Sequence, residues 1–423
     1  MLSLYDCNEL TAGQLDALLK RPEQSQSAEL RAGVAAIIDQ IRKQGDQALD
    51  GYARELDGYE GPRLVATKGA LERISLALRQ ALEQASANIR RFHERQRPQA
   101  LVVETAPGVI CEQRWQPLSR IGLYVPGGSA PLPSSVLMQA IPARLAGVEE
   151  IILATPGPVD DAVLAAAALA GIAQVLALGG AQAIAAMALG TQSLAPVVKL
   201  FGPGNAWVTE AKRQLGQQGV AIDMPAGPSE LMVIADGTAN AAFVAADLLS
   251  QAEHGPDSQV LLVTDSRDLA ESVNTRLAKQ LEALPRRAIC EQSLAQSRAL
   301  LVRDLDQGVR VANAYGPEHL ILQTNQNERL LPGLRNAGAI FVGPFSPESA
   351  GDYASGSNHV LPTYGLARSY SGLGLLDFMR RYTVQTLSRE GLKGLAPTLL
   401  ALASAEGLDG HAQAVKVRLE AGQ

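Results

Sequence analysis

Residues 150–190, EIILATPGPVDDAVLAAAALAGIAQVLALGGAQAIAAMALG, carry the pattern that decides the fold. Two short apolar runs, EIILA and QVLAL, are each followed by a turn with glycine or proline and then by an alanine-rich segment with helical spacing. Similar runs, roughly 20 to 25 residues apart, occur at 121–125 (IGLYV), 197–201 (VVKLF) and 220–224 (VAIDM). This repeat predicts βα units that build a mostly parallel, wound sheet.

A second series of βα units begins at residue 230. Its apolar runs are ELMVIAD (230–236), QVLLVTD (259–265), ALLVRD (299–304) and AIFVG (339–343). Helical spacing occurs in the N-terminal segments 31–45 and 71–92, and again after residue 378, where no strand is evident. We therefore predict an α/β protein with two Rossmann-like wound α/β domains, a helical N-terminal region and a helical C-terminal tail.

The length of 423 residues exceeds what one hydrophobic core usually supports, so more than one domain is expected. The patterns give an N-terminal arm at 1–24, a first α/β domain at 25–121 plus 229–377, a second at 122–228, and a tail at 378–423. A small helical tail rarely stands alone, so it should pack on something, such as another subunit.

Composition excludes several classes of protein. A net charge of -6 and a pI near 5.5 argue against a nucleic-acid partner, which needs clustered Lys and Arg. The three cysteines have no C-x-x-C spacing, and Asp6 and Glu9 stand where an export signal would be basic and then apolar, so a reducing cytoplasm is expected. The uncharged stretch 162–191 is long enough for a membrane span, but its alanine content and glycines favour a buried α/β core.

Glycine-rich turns follow three of the predicted strands. They are VPGGSAPLPS after Tyr124, LGGAQA around Gln182 and FGPGNAW around Asn205. Each would present main-chain N–H groups at a helix N-terminus, which suits a phosphate, although none is the G-x-G-x-x-G fingerprint and each alone is more often an ordinary turn. Together, at successive strand ends, they predict a crevice for a nucleotide cofactor.

Two histidine-containing motifs could carry chemistry. Gln251 and His254 would project from one face at the end of a helix, where they could bind one ion or simply cap the helix. Glu318 and His319 follow a Gly-Pro turn, and are either an acid–base pair or an ordinary surface dipeptide.

The remaining histidines differ in their surroundings. His359 lies in a Gly-, Ser- and Asn-rich segment seven residues after Asp352, which is typical of a functional loop. His411, five residues after Glu406, would alone be taken for a surface residue, as would His93 on a basic helix. Two imidazoles, a carboxylate and an amide oxygen would suit zinc, or manganese or cobalt in its place.

Six segments together resemble histidinol dehydrogenase, from about residue 25 into the tail. They are GLYVPGGSAPLPSSVLM, FGPGNAWVTEAKRQ, DMPAGPSELMVIAD, DLLSQAEHGPDSQV, YGPEHLI and SPESAGDYASGSNHVLPTYG. The resemblance implies oxidation of L-histidinol to L-histidine through a bound aldehyde, with two NAD+ and one zinc ion per subunit. It also implies that domain 122–228 is the NAD side.

The resemblance assigns roles residue by residue. It implies acid–base catalysis by the adjacent pair Glu318 and His319, with Glu318 activating water. The implied zinc ligands are Gln251, His254, Asp352 and His411. These four and His319 also contact the substrate, together with Ser229, His359 and Glu406, and the NAD positions are Tyr124, Gln182 and Asn205. It further implies an intertwined homodimer in which Glu406 and His411 act in the partner's site.

Other functions remain open at this point. A related enzyme could oxidise another small hydroxy compound on the same scaffold. A zinc hydrolase with purely structural glycine turns, or a binding protein without catalysis, would also fit the spacing alone. A thiohemiacetal route through Cys111 is a further alternative.

Overall fold

The computed structural model describes residues 1–21, 27–127, 130–224 and 227–421. Its strands are β1 (Ser3–Asp6), β2 (Leu64–Ala66), β3 (Leu101–Ala106), β4 (Val109–Pro117), β5 (Arg120–Tyr124), β6 (Glu150–Thr155), β7 (Gln174–Ala177), β8 (Lys199–Phe201), β9 (Ala221–Ile222), β10 (Glu230–Ala235), β11 (Gln259–Thr264), β12 (Arg298–Leu301), β13 (His319–Gln323), β14 (Ala339–Val342) and β15 (Met379–Leu387).

The α-helices alternate with most of these strands. They are α1 (Ala12–Leu18), α2 (Ala28–Gln44), α3 (Asp46–Glu55), α4 (Ala70–Arg73), α5 (Leu76–Glu94), α6 (Pro133–Ala146), α7 (Asp161–Leu169), α8 (Gly180–Leu189), α9 (Ala206–Gly216), α10 (Ala241–Ala252), α11 (Arg267–Leu281), α12 (Arg287–Ala295), α13 (Leu305–Tyr315), α14 (Asn327–Leu330), α15 (Glu348–Tyr353), α16 (Arg389–Ala405) and α17 (Asp409–Glu420).

The first sheet has the strand order β2-β7-β6-β5-β8-β9. Its pairs are parallel except β2 with β7. The apolar runs predicted as strands between residues 121 and 224 are β5 to β9. Helices cover both faces: α5, α6 and α7 pack on one, and α2, α8 and α9 on the other. This is the wound α/β unit that the sequence predicted.

The second sheet has the order β1-β12-β11-β10-β13-β14, with every pair parallel. In β10, Leu231, Val233 and Ala235 pack towards α10 and α11, whereas Met232 and Ile234 pack towards the opposite layer. Burial on both faces explains why this strand is a continuous apolar run rather than an alternating one.

The N-terminal segments pack differently from the predicted domain division. Strand β2 extends the first sheet, α2 contacts α8 and α9, and α5 contacts α6. Residues 28–94 therefore belong with 122–228, rather than with 229–377 as the sequence grouped them. Strand β1, from the predicted arm 1–24, is part of the second sheet. An amphipathic pattern shows that a helix buries one face, but not which sheet it covers.

A small third sheet carries the tail. Strands β3 and β4 form an antiparallel pair, and β15 pairs with β4 from Met379 opposite Pro117 to Leu387 opposite Val109. The tail therefore begins with a strand that the sequence pattern did not reveal, because most of its residues are polar and exposed. Helices α16 and α17 follow, as predicted.

The uncharged stretch 162–191 forms α7, β7 and α8, and packs inside the first wound unit. Within the described ranges, no helix combines the length and apolar character that crossing a membrane requires.

Candidate active site

A cavity of about 390 Å³ lies between the two wound units. The first unit contributes the turn 202–205 after β8, and the second contributes residues on either side of β10, α10 and β13. The predicted site residues that line it are Asn205, Ser229, His254, Glu318, His319, Asp352 and His359. The fold thus gathers residues that lie up to 154 positions apart (205 to 359) around one space.

His319 begins β13 and is almost fully buried. Its Nδ1 lies 3.2 Å from the main-chain oxygen of Glu230. Because a carbonyl oxygen only accepts, Nδ1 carries the proton, and the unpaired Nε2 has no partner among the described residues. Burial lowers the pKa of His319 to about 4. The imidazole is therefore neutral at pH 7 and presents a free lone pair.

Glu318 directly precedes His319 and is equally buried. One carboxylate oxygen accepts a hydrogen bond of 2.9 Å from the main-chain N–H of Glu230. Burial raises the pKa of Glu318 well above its usual value. The ionised carboxylate is consequently a stronger base than an exposed glutamate.

Asp352 and His359 lie opposite this pair. The Oδ1 atom of Asp352 is 3.7 Å from Nε2 of His319. The ring of His359 donates from Nδ1 to the Asp352 carbonyl at 2.8 Å, and its Nε2 lies 3.1 Å from the Ser135 hydroxyl. His359 is thereby fixed with one nitrogen towards each wound unit.

Gln251 and His254 lie at the end of α10. The Nδ1 of His254 is 2.9 Å from the Ser250 carbonyl, which leaves Nε2 as the free lone pair of an exposed ring. The side chain of Gln251 is fully buried, and neither Oε1 nor Nε2 has a partner among the described residues. A buried amide with both polar atoms unpaired is costly, which points to an absent ligand.

The sequence did not single out Glu348. This residue is 1% exposed, its Oε1 lies 3.5 Å from Nδ1 of His319, and neither carboxylate oxygen has a hydrogen-bond partner within the described chain. Ligand atoms of His319, Glu348 and Asp352 lie within 4.8 Å of one another. Of the predicted metal ligands, only Asp352 is in this group. Its spacing could have revealed Glu348 in the sequence, because residues four apart in a helix lie on the same face and Asp352 was already a predicted ligand.

The predicted cofactor residues lie around the ends of β5, β7 and β8. The Tyr124 hydroxyl accepts from the N–H of Gly180 at 2.9 Å, and Gln182 is buried in the first turn of α8. Asn205 caps α9 through its side chain and lines the cavity. Residues 128–129 of the first glycine-rich turn are outside the described residues.

Glu406 and His411 are not brought to this cavity. Both are exposed on the tail, Glu406 at the end of α16 and His411 in α17. Neither lines the cavity of its own chain.

Comparison with known proteins identifies the family. The family model for histidinol dehydrogenase matches residues 19–419. The chain belongs to the histidinol dehydrogenase family. Histidinol dehydrogenase from Vibrio vulnificus (strain YJ016) is 54% identical over 417 residues, which cover 97% of each chain.

Solved structures agree with this result. The histidinol dehydrogenase of Elizabethkingia anophelis superposes with a TM-score of 0.96 at 42% identity, over 99% of this chain and 98% of that one. A NAD-dependent aldehyde dehydrogenase from Sinorhizobium meliloti gives a TM-score of 0.50 at 12% identity, over 90% of this chain and 88% of that one, and shows a shared fold only. Histidinol dehydrogenases catalyse the last steps of histidine biosynthesis, the NAD-linked oxidation of L-histidinol to L-histidine.

Proposed function

We propose that the cavity between the wound units is where this oxidation occurs, with Glu318 and His319 as the acid–base pair and with Ser229 and His359 contacting the substrate. The observation that carries the proposal is the buried, neutral His319 with an unpaired Nε2, next to a buried carboxylate on the same cavity wall.

His319 is the proton acceptor in both oxidations. In the first, Nε2 takes the hydroxyl proton while the alcohol carbon transfers hydride to NAD+, which yields the aldehyde and NADH. In the second, Glu318 takes a proton from the water that adds to the aldehyde. The His319 imidazolium returns its first proton to the aldehyde oxygen, which completes the hydrate. The neutral imidazole then accepts a proton from that hydrate as hydride passes to the second NAD+, which yields the acid. The aldehyde stays in the cavity between these steps.

The donor set fits a zinc ion. Gln251, His254 and Asp352 offer an amide oxygen, an imidazole nitrogen and a carboxylate oxygen, which zinc accepts as ligands. The unpaired buried amide of Gln251 supports this set, and His411 of a second copy completes it. When bound, the ion supplies positive charge that orients the amine and imidazole of the substrate.

Tyr124, Gln182 and Asn205 are the proposed contacts to NAD. They lie on the first wound unit, at turns whose helices α8 and α9 begin beside them. The partial positive charge of such helix starts favours the pyrophosphate of the cofactor.

The tail acts in a partner subunit, so the enzyme is an intertwined homodimer. Two observations support this. Glu406 and His411 are exposed and away from their own cavity, and the tail leaves Leu402, Leu408 and Val417 exposed. Tyr353, which lines the cavity, is exposed as well, and so are Phe243 and Phe345, with Phe345 at 87%. Exposed apolar side chains on the tail and on the second wound unit favour association of these two surfaces.

The test is the amount of NADH formed per L-histidinol consumed, with zinc-loaded enzyme and with enzyme stripped by a chelator. Two NADH per substrate, lost on stripping and regained with zinc, are expected. Turnover of a different alcohol in place of L-histidinol would assign the cavity to a related reaction. Turnover that survives complete removal of zinc would contradict the role of the metal.

A further inference from the structure

One residue contacts both members of the proposed catalytic pair through its main chain. The N–H of Glu230 donates to Oε2 of Glu318 at 2.9 Å, and its carbonyl oxygen accepts from Nδ1 of His319 at 3.2 Å. The position of this single residue therefore fixes the Glu318 carboxylate and also sets the tautomer and orientation of the His319 ring.

The side chain of Glu230 is itself buried and hydrogen-bonded through both carboxylate oxygens. It is 2% exposed, and both of its oxygens accept from the Arg21 guanidinium, Oε2 at 2.7 Å from Nη2. The N–H of Tyr364 donates to Oε1 at 2.7 Å. A bidentate guanidinium–carboxylate pair with a third donor has a defined geometry, which a lysine in place of Arg21 could not reproduce.

Arg21 also contacts the segment that leads into Glu318. Its Nη2 donates to the carbonyls of Tyr315 at 3.0 Å and Gly316 at 3.3 Å, and its guanidinium carbon stacks 3.8 Å from the centre of the Tyr315 ring. The hydroxyl of that buried ring donates to Gln259 at 2.8 Å. Arg21 thus joins the start of β10 to the turn before β13.

The location of the Arg21–Glu230 ion pair explains why charged residues occupy these two positions. A buried ion pair is costly to desolvate, and apolar residues of similar volume often stabilise a fold as well or better. Retention of charge here is explained by geometry, because β10 begins at Glu230 and β13 begins at His319, directly after Glu318. Arg21 ties the starts of these two strands together.

We propose that Arg21 and Glu230 are positioning residues for the Glu318–His319 pair, an inference that rests on the proposed roles of those two residues. Neither Arg21 nor the Glu230 carboxylate lines the cavity. They act by holding one main-chain unit, and an error of about 1 Å in the placement of a base costs a large factor in rate.

The experiment measures kcat and KM for L-histidinol and for NAD+, together with the rate of aldehyde oxidation, in Arg21→Ala, Arg21→Lys and Glu230→Gln. We expect Arg21→Ala to lower kcat by at least tenfold and to change either KM by less than about threefold. Guanidinium ion added to Arg21→Ala should restore part of kcat, and Arg21→Lys should fall between wild type and Arg21→Ala. Glu230→Gln keeps the side-chain volume and carries the test if Arg21→Ala does not fold.

A matched control is Arg63→Ala. Arg63 is also partly buried and pairs with Asp46 and Asp50, but lies away from the cavity. It should keep the wild-type kcat and respond to guanidinium no differently from wild type. Glu318→Gln is measured in parallel. If Glu318→Gln is impaired but folded Arg21→Ala and Glu230→Gln keep wild-type kcat, the inference is wrong and the proposed function stands. If Glu318→Gln is fully active, both fail.

Discussion

The Oε1 atom of Glu348 lies 3.5 Å from Nδ1 of His319, while Oδ1 of Asp352 lies 3.7 Å from Nε2 of the same ring. The imidazole therefore has a carboxyl group beside each nitrogen. When His319 accepts a proton it becomes a cation in a buried site, and a neighbouring carboxylate stabilises that charge. Glu348 is therefore placed to stabilise the imidazolium form of His319.

Replacing Glu348 by Gln should slow both oxidation steps by about tenfold, because each requires the imidazolium form of His319. Stopped-flow measurement of each NADH formed would separate the steps. Glu328→Gln, on the exposed helix α14, is the matched control. Loss confined to one of the two steps would contradict this role.

Metal analysis distinguishes two sets of ligands. If zinc is held by Gln251, His254 and Asp352, then His254→Asn should lower zinc per subunit by tenfold or more at limiting metal, whereas Glu348→Gln should retain it. The reverse result would assign the metal to the cluster of His319, Glu348 and Asp352. Zinc is measured after gel filtration of the purified variants, next to wild type.

The two oxidation steps should respond differently to pH. In the proposed mechanism Glu318 acts as a base when ionised, and burial raises its pKa well above the usual value. Aldehyde oxidation should therefore be lost as pH falls through that raised pKa. Alcohol oxidation should continue to lower pH, because burial lowers the pKa of His319 to about 4.

Glu318→Gln tests the same assignment at constant pH. It should reduce aldehyde oxidation by about 100-fold and alcohol oxidation much less, since only the second step consumes water. The rates are measured with excess zinc, so that protonation of metal ligands does not contribute. Equal losses in the two steps, or one shared acid limb, would rule out water activation by Glu318.

The sequence predicted where the strands and helices lie better than it predicted which of them pack together. Apolar runs located β5 to β12 and β14 because buried parallel strands contain few polar residues. Pairing is a long-range property, so the sequence could not show that β2 extends the first sheet. It also could not show that β1 joins the second sheet, where Ser3 pairs with Arg298, 295 positions later.

The site residues divide in the same way, into those that a local pattern reveals and those that only contacts in the fold reveal. Histidines with unusual polar surroundings drew attention to His254, His319 and His359, and the cavity brings these three together. Arg21 and Glu230 look like ordinary charged residues in the sequence, and their meaning depends on contacts across 209 positions. Roles in hydride transfer and water activation came from family resemblance, because spacing cannot specify a reaction.

Gly202 is a position where a side chain should not be tolerated. Its φ is +112°, and a Cβ atom would overlap the carbonyl oxygen of Tyr124. Gly202→Ala should therefore lower stability by about 1 to 3 kcal/mol and raise KM for NAD+, because the turn carries Asn205. Thermal unfolding measures the change in stability, and initial rates over a range of NAD+ concentrations give the KM. Gly219→Ala also has a positive φ but an open environment, so it should lower stability without changing KM.

Mixed dimers test whether the tail acts in the partner subunit. Homodimers of Glu318→Gln lack the proposed water-activating base in both sites, and homodimers of His411→Asn lack the tail histidine in both. In a heterodimer with exchanged tails, one site receives both changes and the other receives neither. Random assembly of equal amounts should then recover about one quarter of the wild-type rate of histidine formation. If each tail served its own cavity, every site would carry one change and verified heterodimers would show no recovery.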